Sequence, residues 1–323
     1  MTTRAVVRGV GHYLPERIVP NSEFEASLDT TDEWIRSRTG IERRHFAAEG
    51  QTTADLALRA AKAALENAGL GPGDIDAIIL ATSTADLTFP SVATMVQAEL
   101  GMETGFAFDV QAVCAGFVFA LAQANALILS GAARRILVIG AETFSRLMDW
   151  TDRGTCVLFG DGAGAVILEA AEGRGDAADR GILATDLHSD GRFRDILYVD
   201  GGTATGSTGQ LRMQGKEVFR HAVEKLAATA HAALDKAGLG SADVDWIVPH
   251  QANLRIISAT AQRMQVPLER VVVTVQDHGN TSAASIPLAL SVGRERGQIK
   301  PGDLIVTEAI GGGLAWGAAV LRW

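Results

Sequence analysis

One thiol, one imidazole and one carboxamide carry the types and surroundings that could do covalent chemistry here: Cys114, His250 and Asn280. Cys114 stands in FDVQAVCAGFVFAL, where the pattern predicts a strand over Gly105–Val110, a short turn and an apolar helix over Gly116–Leu129. A thiol at such a turn faces the unpaired N–H groups and positive end of a helix, which would lower its pKa and favour the thiolate. His250 closes a predicted strand, Trp246–Pro249, and opens a helix-like run, Gln251–Met264. Asn280 lies in the loop HGNTSAAS. Taken singly these are weak signals: a lone apolar-flanked Cys is usually structural, and a lone His or Asn is usually a satisfied hydrogen-bonding residue. Cys156, in GTCVLFG, has no useful polar flank and keeps the structural reading.

An internal repeat places the three together. Ala63–Leu80 (AALENAGLGPGDIDAIIL) and Ala232–Pro249 (AALDKAGLGSADVDWIVP) align at an offset of 232 − 63 = 169. Both read as a helix end, a Gly C-cap, a turn and a buried strand. The same offset carries Cys114 onto Ala283, Gln111 onto Asn280, and Arg135-Ile-Leu-Val-Ile onto Leu304-Ile-Val-Thr-Glu. One register serving three places indicates duplication. Two βα-rich halves, 1–172 and 173–323, should pack about a pseudo-twofold axis, with a seam around Ala170–Gly181. Cys114 and Asn280 then lie on equivalent loops, with His250 at the end of a neighbouring strand.

Composition bounds the partners. The 323 residues are 47% hydrophobic, enough for a large core. The formal charge of −9 argues against nucleic-acid binding, and an acidic partner would need a local basic patch. Two cysteines are too few for a disulfide framework. Met1 to Pro20 carries Arg4, Arg8, Glu16 and Arg17 and no signal-peptide core, and the most apolar stretch, Val113 to Ala122, is too short to span a bilayer. A soluble cytoplasmic protein without membrane attachment is expected. The run Gly160-x-Gly-x-Gly164 lacks dinucleotide-loop spacing and precedes a strand-like run, Ala165–Leu168, so nicotinamide chemistry is not expected.

Seven segments together carry a family resemblance. They are TTDEWIRSRTGIERR (Thr30–Arg44), QTTADLA (Gln51–Ala57), AVCAGF (Ala112–Phe117), DRGTCVLFGDGAGA (Asp152–Ala165), HQANLRIISATA (His250–Ala261), GNTSAAS (Gly279–Ser285) and GGGLAWG (Gly311–Gly317). In that order, and over nearly the whole chain, they resemble the β-ketoacyl-acyl carrier protein synthase III family of the thiolase superfamily. The resemblance implies an α/β thiolase-like fold, two duplicated βα halves in a five-layered α-β-α-β-α sandwich. It implies a nucleophile Cys114 with His250 and Asn280 as partners, and no cofactor or metal. Chain-elongating synthases pair Cys with two His. Thiolases place a second Cys just before the C-terminal Gly run, where this chain has Ala309 and Ile310.

The implied reaction joins an acyl-CoA primer, acetyl-CoA by expectation, to malonyl-acyl carrier protein with loss of carbon dioxide. A thiolate accepts the acyl group without metal. An imidazole N–H and an amide N–H can then hold the enolate oxygen left by decarboxylation. By resemblance the backbone N–H groups of Cys114 and Gly312 form the oxyanion hole. Thr30-Thr-Asp-Glu33 fits a capping box with Gly40 as C-cap, and Trp34 and Arg38 share a face of the helix between. The family's CoA site would sandwich the adenine between Trp34 and Arg153 and pair Arg38 with a phosphate. Carrier docking would fall to Arg220, Arg255 and Arg263, with Lys216 nearby; Gln262 stands where relatives often carry a second basic residue. Phe89 from the neighbouring subunit of a homodimer would help shape the primer pocket. Two other readings stay open: a specialised synthase of secondary metabolism, and a non-catalytic partner that only docks carrier proteins.

Overall fold

The computed structural model describes residues 2–323. The first half opens with β1 (Thr2–Tyr13) and an excursion in which β2 (Arg17–Pro20) pairs with β3 (Arg43–Phe46) around α1 (Ser22–Glu25) and α2 (Asp32–Thr39). There follow α3 (Thr53–Ala68), β4 (Ala77–Ala81), α4 (Val92–Leu100), β5 (Phe106–Val110), α5 (Gly116–Leu129), β6 (Arg135–Thr143) and β7 (Asp161–Gly173). The second half contains β8 (Gly181–Ser189), a small ribbon of β9 (Leu197–Val199) and β10 (Leu211–Met213), then α6 (Gly215–Lys236), β11 (Trp246–Ile247), α7 (Leu254–Arg263), α8 (Val275–His278), α9 (Ser285–Glu295), β12 (Leu304–Gly311) and β13 (Ala315–Arg322).

The duplication is visible in the sheets. The first has order β1-β7-β6-β4-β5 and the second β11-β12-β13-β8. Reversed, the second reads as the counterparts of β1, β7, β6 and β4. The counterpart of β5 is reduced to a single parallel bridge, Ile247 to Val271. The residues between that bridge and the following turn are spent on α8, which has no counterpart in the first half.

Layering follows from side-chain alternation. Ile78, Leu80, Leu137 and Ile139 point to α3 and α4 on one outer face. Ala77, Ile79, Ile136 and Val138 point inward to α5 and α9, which also meet Ile305, Ala309, Ala319 and Leu321 of the second sheet. Val306, Ala318 and Val320 face the other outer layer, α6 and α7. The result is the five-layered α-β-α-β-α thiolase-like sandwich. Ala and Gly line the central layer because α5 and α9 approach both sheets closely. A Cβ on Gly164 of β7 would sit 2.5 Å from the Leu288 backbone nitrogen of α9, so only glycine permits that contact.

Two local expectations need correction. The N-cap of α2 is Thr31, accepting from the Trp34 N–H at 3.1 Å, so Thr30 and Glu33 make no capping box; Gly40 is the left-handed C-cap as expected. Helix α7 starts at Leu254, not Gln251, because Asn253 caps it by accepting from the Arg255 N–H. The run Gly160-x-Gly-x-Gly164 enters β7 and forms no nucleotide loop.

Candidate active site

Cys114 lies in a one-turn helix, Val113–Ala115, between β5 and α5. Its counterpart, Ser282–Ala284, lies between α8 and α9. Each turn opens on a non-glycine residue in the left-handed region, Val113 at φ 48° and Ser282 at φ 49°. Those positions differ by 282 − 113 = 169, the repeat offset. Such strain is costly for a β-branched residue and accumulates where a site is over-determined by its surroundings.

A cavity of about 340 Å³ joins the residues that the sequence singled out. Cys114, His250 and Asn280 all line it and are all buried. Phe144, Phe159, Leu197, Val218, Ala222 and Ile310 supply apolar wall. Trp34, Arg38, Arg153 and Arg255 also line it. The cavity therefore combines an apolar interior with an end rich in cations.

Local hydrogen bonds orient the two donors. The Asn280 side-chain oxygen accepts from the Ser282 N–H at 2.9 Å, which leaves the carboxamide NH₂ as the group free for a ligand. Asn280 is fixed further by its backbone, bonded to Leu158 O and Gly160 N. His250 continues the β11 pairing, its N–H donating to Glu308 O. Its Nδ1 lies 2.6 Å from Ser285 Oγ at the start of α9. That hydroxyl also accepts from the Gln251 N–H; with its own proton donated to Nδ1, Nε2 carries the ring hydrogen and faces the cavity as a donor. Gln251 is a further strut that sequence reasoning did not single out. It donates to Pro249 O and Val272 O and accepts from the N–H groups of Thr274 and Val275.

The electrostatics correct one expectation. The Cys114 thiol is pushed up to about 12, not lowered, and burial is the dominant cause; Ser282 acts in the opposite direction. Removal from water outweighs the helix end. Burial also holds His250 down to about 3, so its imidazole is neutral at physiological pH. Cys156 is wholly buried and free, with its thiol raised to about 11 by burial, in keeping with its structural reading.

The remaining candidates fall in three places. Arg38 and Arg153 both stack on Trp34, at 4.8 and 5.0 Å from its ring, and Arg153 also pairs with Asp29 at 3.1 Å. Trp34 and Arg153 lie against each other, so an aromatic ligand would have to part them. Arg255 and Arg263 are exposed on α7; Arg220, on α6, is tied to Glu217 at 2.5 Å. Phe89 is 82% exposed and does not line the cavity of its own chain. Gly312 packs against Leu197, where a Cβ would meet the carbonyl oxygen at 2.7 Å, and its neighbour Gly311 packs on the Cys114 backbone nitrogen.

Two fused α/β halves of this topology, with a cysteine turn and an asparagine turn facing one cavity, define a thiolase-fold condensing enzyme. Comparison with known proteins carries this further. Residues 108–191 match the family described as 3-oxoacyl-[acyl-carrier-protein (ACP)] synthase III, and residues 234–323 its C-terminal family. A β-ketoacyl-[acyl-carrier-protein] synthase III of Cereibacter sphaeroides is 83% identical over the whole of both chains. The crystal structure of 3-oxoacyl-[acyl-carrier-protein] synthase III from Aquifex aeolicus superposes with a TM-score of 0.93 at 45% identity, covering 99% of this chain and 100% of that one. The priming β-ketosynthase of a polyketide biosynthetic pathway superposes with a TM-score of 0.92 at 36% identity, over 99% and 96% of the two chains. The chain belongs to the 3-oxoacyl-acyl carrier protein synthase III family. It is an acyltransferase-type condensing enzyme of fatty acid biosynthesis.

Proposed function

We infer that the cavity performs the decarboxylative Claisen condensation that initiates type II fatty acid synthesis. An acyl-CoA primer, acetyl-CoA in this reading, acylates Cys114. Malonyl-acyl carrier protein then loses carbon dioxide, and His250 Nε2–H with the Asn280 NH₂ holds the enolate oxygen. The enolate carbon attacks the acyl-Cys carbonyl, whose oxygen is received by the N–H groups of Cys114 and Gly312. A 3-oxoacyl-carrier product leaves. The observation that carries this is the meeting of one thiol and two oriented neutral donors in one buried, apolar cavity. Neutral donors suit an enolate that forms away from water, each contributing about 3–4 kcal/mol in the transition state.

Entry follows the charge. Trp34 and Arg153 grip the adenine, Arg38 meets a phosphate, and Arg255 and Arg263 meet the acidic carrier; Arg220 contributes less because Glu217 already neutralises it. Homodimer formation is supported by the exposed sheet edge at β5, where Phe106 is exposed, and by the projecting Phe89, which would reach the partner's primer pocket. We take the halves as 1–172 and 173–323, and the setting as cytoplasmic without nucleic acid. No helix among the described residues is long and apolar enough to cross a membrane.

The test is acylation of purified protein with a panel of acyl-CoA primers, read by mass on the intact chain and its peptides. The acyl group is expected on Cys114, with short primers favoured. A chain that takes no acyl group from any CoA ester would be a carrier-docking partner only. Exclusive use of long or aromatic primers would place it in secondary metabolism.

A further inference from the structure

The reaction as drawn leaves one proton unplaced. Cys114 rests as a protonated thiol, yet must attack as a thiolate. His250 offers its Nε2–H to the cavity and is held at Nδ1 by Ser285.

Glu142, at the end of β6, lies near enough to act on the thiol electrostatically but does not line the cavity. It is wholly buried and, among the described residues, has no ion-pair partner. Its carboxylate accepts from Thr84 Oγ1 at 2.6 Å, Thr82 Oγ1 at 3.2 Å and the Ser83 N–H at 3.1 Å, all on the segment after β4. Facing it from the second half is Ser282. The turn Ser282–Ala284 packs on both β6 and the Cys114 turn. It sits so close that a Cβ on Gly140 would lie 2.2 Å from Ala283 O. The Ser282 hydroxyl is buried and has no hydrogen-bond partner among the described residues. Its side chain favours the charged forms of both Cys114 and Glu142, as a hydroxyl placed between the two would. Burial lifts Glu142 to about 7, the range in which a base both ionises and accepts a proton near neutrality. Cys114 is the titratable group that faces it; the groups from the β4 end and from Ser282 are hydroxyls and an amide.

We propose that the Ser282 hydroxyl relays the Cys114 thiol proton to the Glu142 carboxylate during acyl transfer, and that Glu142 stores it until condensation frees the thiolate. The proposal rests on the reading of Cys114 as the acylated nucleophile. In the first half-reaction the S–H proton passes to Ser282 Oγ, whose own proton passes to Glu142. The thiolate sulfur bonds the primer carbonyl carbon, and CoA leaves as a thiolate that takes a proton from solvent. In the second, the malonyl carboxylate departs as neutral carbon dioxide and leaves its charge on the thioester as the enolate. The enolate carbon displaces Cys114 as a thiolate, and the stored proton returns through Ser282. Over the cycle one solvent proton is consumed and Glu142 ends as it began.

This route leaves a signature that a structural role for Glu142 would not. Mix the full chain with acetyl-CoA, without a malonyl donor, in weak buffer at about pH 7.5 with an indicator dye, and count acyl-Cys114 by mass. That pH lies above the Glu142 range and below that of a free thiol such as CoA. Wild type should take up more than half a proton per acyl group transiently, during the acylation burst and before the carboxyl re-equilibrates with solvent. Glu142→Gln and Ser282→Ala should acylate about 10²-fold more slowly and take up none. Ser282→Ala leaves the Glu142 hydrogen bonds in place and so guards against misfolding of the first variant. Acyl-Cys114 formed by wild type without proton uptake, or uptake unchanged in both variants, overturns the relay while leaving the nucleophile assignment standing. Absence of an acyl group on Cys114 overturns both.

Discussion

The Cys114 turn and the Ser282 turn are one backbone used twice. Both are three-residue helical turns, both open at a left-handed non-glycine, and both feed a buried helix, α5 or α9. Yet the first presents a thiol, and the second sends its functional group from two residues earlier, as the Asn280 carboxamide. The difference lies upstream. In the first half β5 runs almost to the turn; in the second, the strand collapses to one bridge and α8 fills the space. The longer path lets Asn280 reach back to Leu158 and Gly160 and line the cavity that Cys114 also lines. Duplication supplied a rigid frame, and one altered loop supplied the asymmetry that the proposed nucleophile and enolate holder require.

Breaking the two turns separately should give different losses. Cys114→Ser should abolish acyl transfer, with no acyl-enzyme detectable by mass, while Cys156→Ser acylates normally. Transfer of the acyl group to Cys156 in the first variant would refute the assignment of roles. Asn280→Ala and His250→Ala should each keep acylation of Cys114 but cut malonyl decarboxylation by about 10²–10³-fold. Equal decarboxylation by wild type and both variants would mean that the second turn does not hold the enolate.

Glu142, shared by both turns, is expected to show in stability. Its carboxyl is near 7 in the folded chain against an ordinary 4.5. Between those values the folded state keeps a proton that the unfolded chain has released. Its contribution to stability is therefore full below about pH 4.5, falls as pH rises, and is gone above about pH 7, a change of about 3 kcal/mol. Glu142→Gln should remove that slope. Denaturant unfolding of both proteins at pH 5 and pH 8 measures it, and identical slopes would place the carboxyl near its ordinary value.

Trp34 belongs to neither turn and serves as the contrast. Trp34→Ala should raise KM for the acyl-CoA about fivefold and leave kcat nearly unchanged, since a stacking contact is worth about 1 kcal/mol and is made equally before and during reaction. A fall in kcat with KM unchanged would instead link the CoA end to the chemistry.

Much of this frame is legible in the sequence. The 169-residue offset gave the halves, the paired turns and the meeting of Cys114 with the Asn280 loop, because close-packed duplicated cores preserve their Ala and Gly spacing. The thiol's ionisation was misread from the chain, since helix direction is a local property and burial is a tertiary one. Ser285, Gln251 and Glu142 escaped for the same reason. Their distant partners lie 35, 21 to 24 and about 60 residues away, where nothing beside them in sequence names them. Ser282 did leave a trace, as the offset partner of Val113, but left-handed geometry at a non-glycine is invisible in composition.

The smallest predicted effect tests the shared backbone itself. Val113 holds a β-branched side chain at φ 48°, a conformation costing about 1–2 kcal/mol. Val113→Gly should relieve that strain while giving up a half-buried side chain and adding unfolded-state freedom, terms of about 1 kcal/mol each. The net change should stay within about 1 kcal/mol of zero, and Ser282→Gly should behave alike. Val138→Gly, in the middle of β6 with no strain to relieve, should cost more than about 3 kcal/mol. Thermal unfolding of the three variants decides. If Val113→Gly destabilises as much as Val138→Gly, the left-handed turn is not strained, and its recurrence at Ser282 reflects only a common ancestor and not a geometry that the site must hold in place.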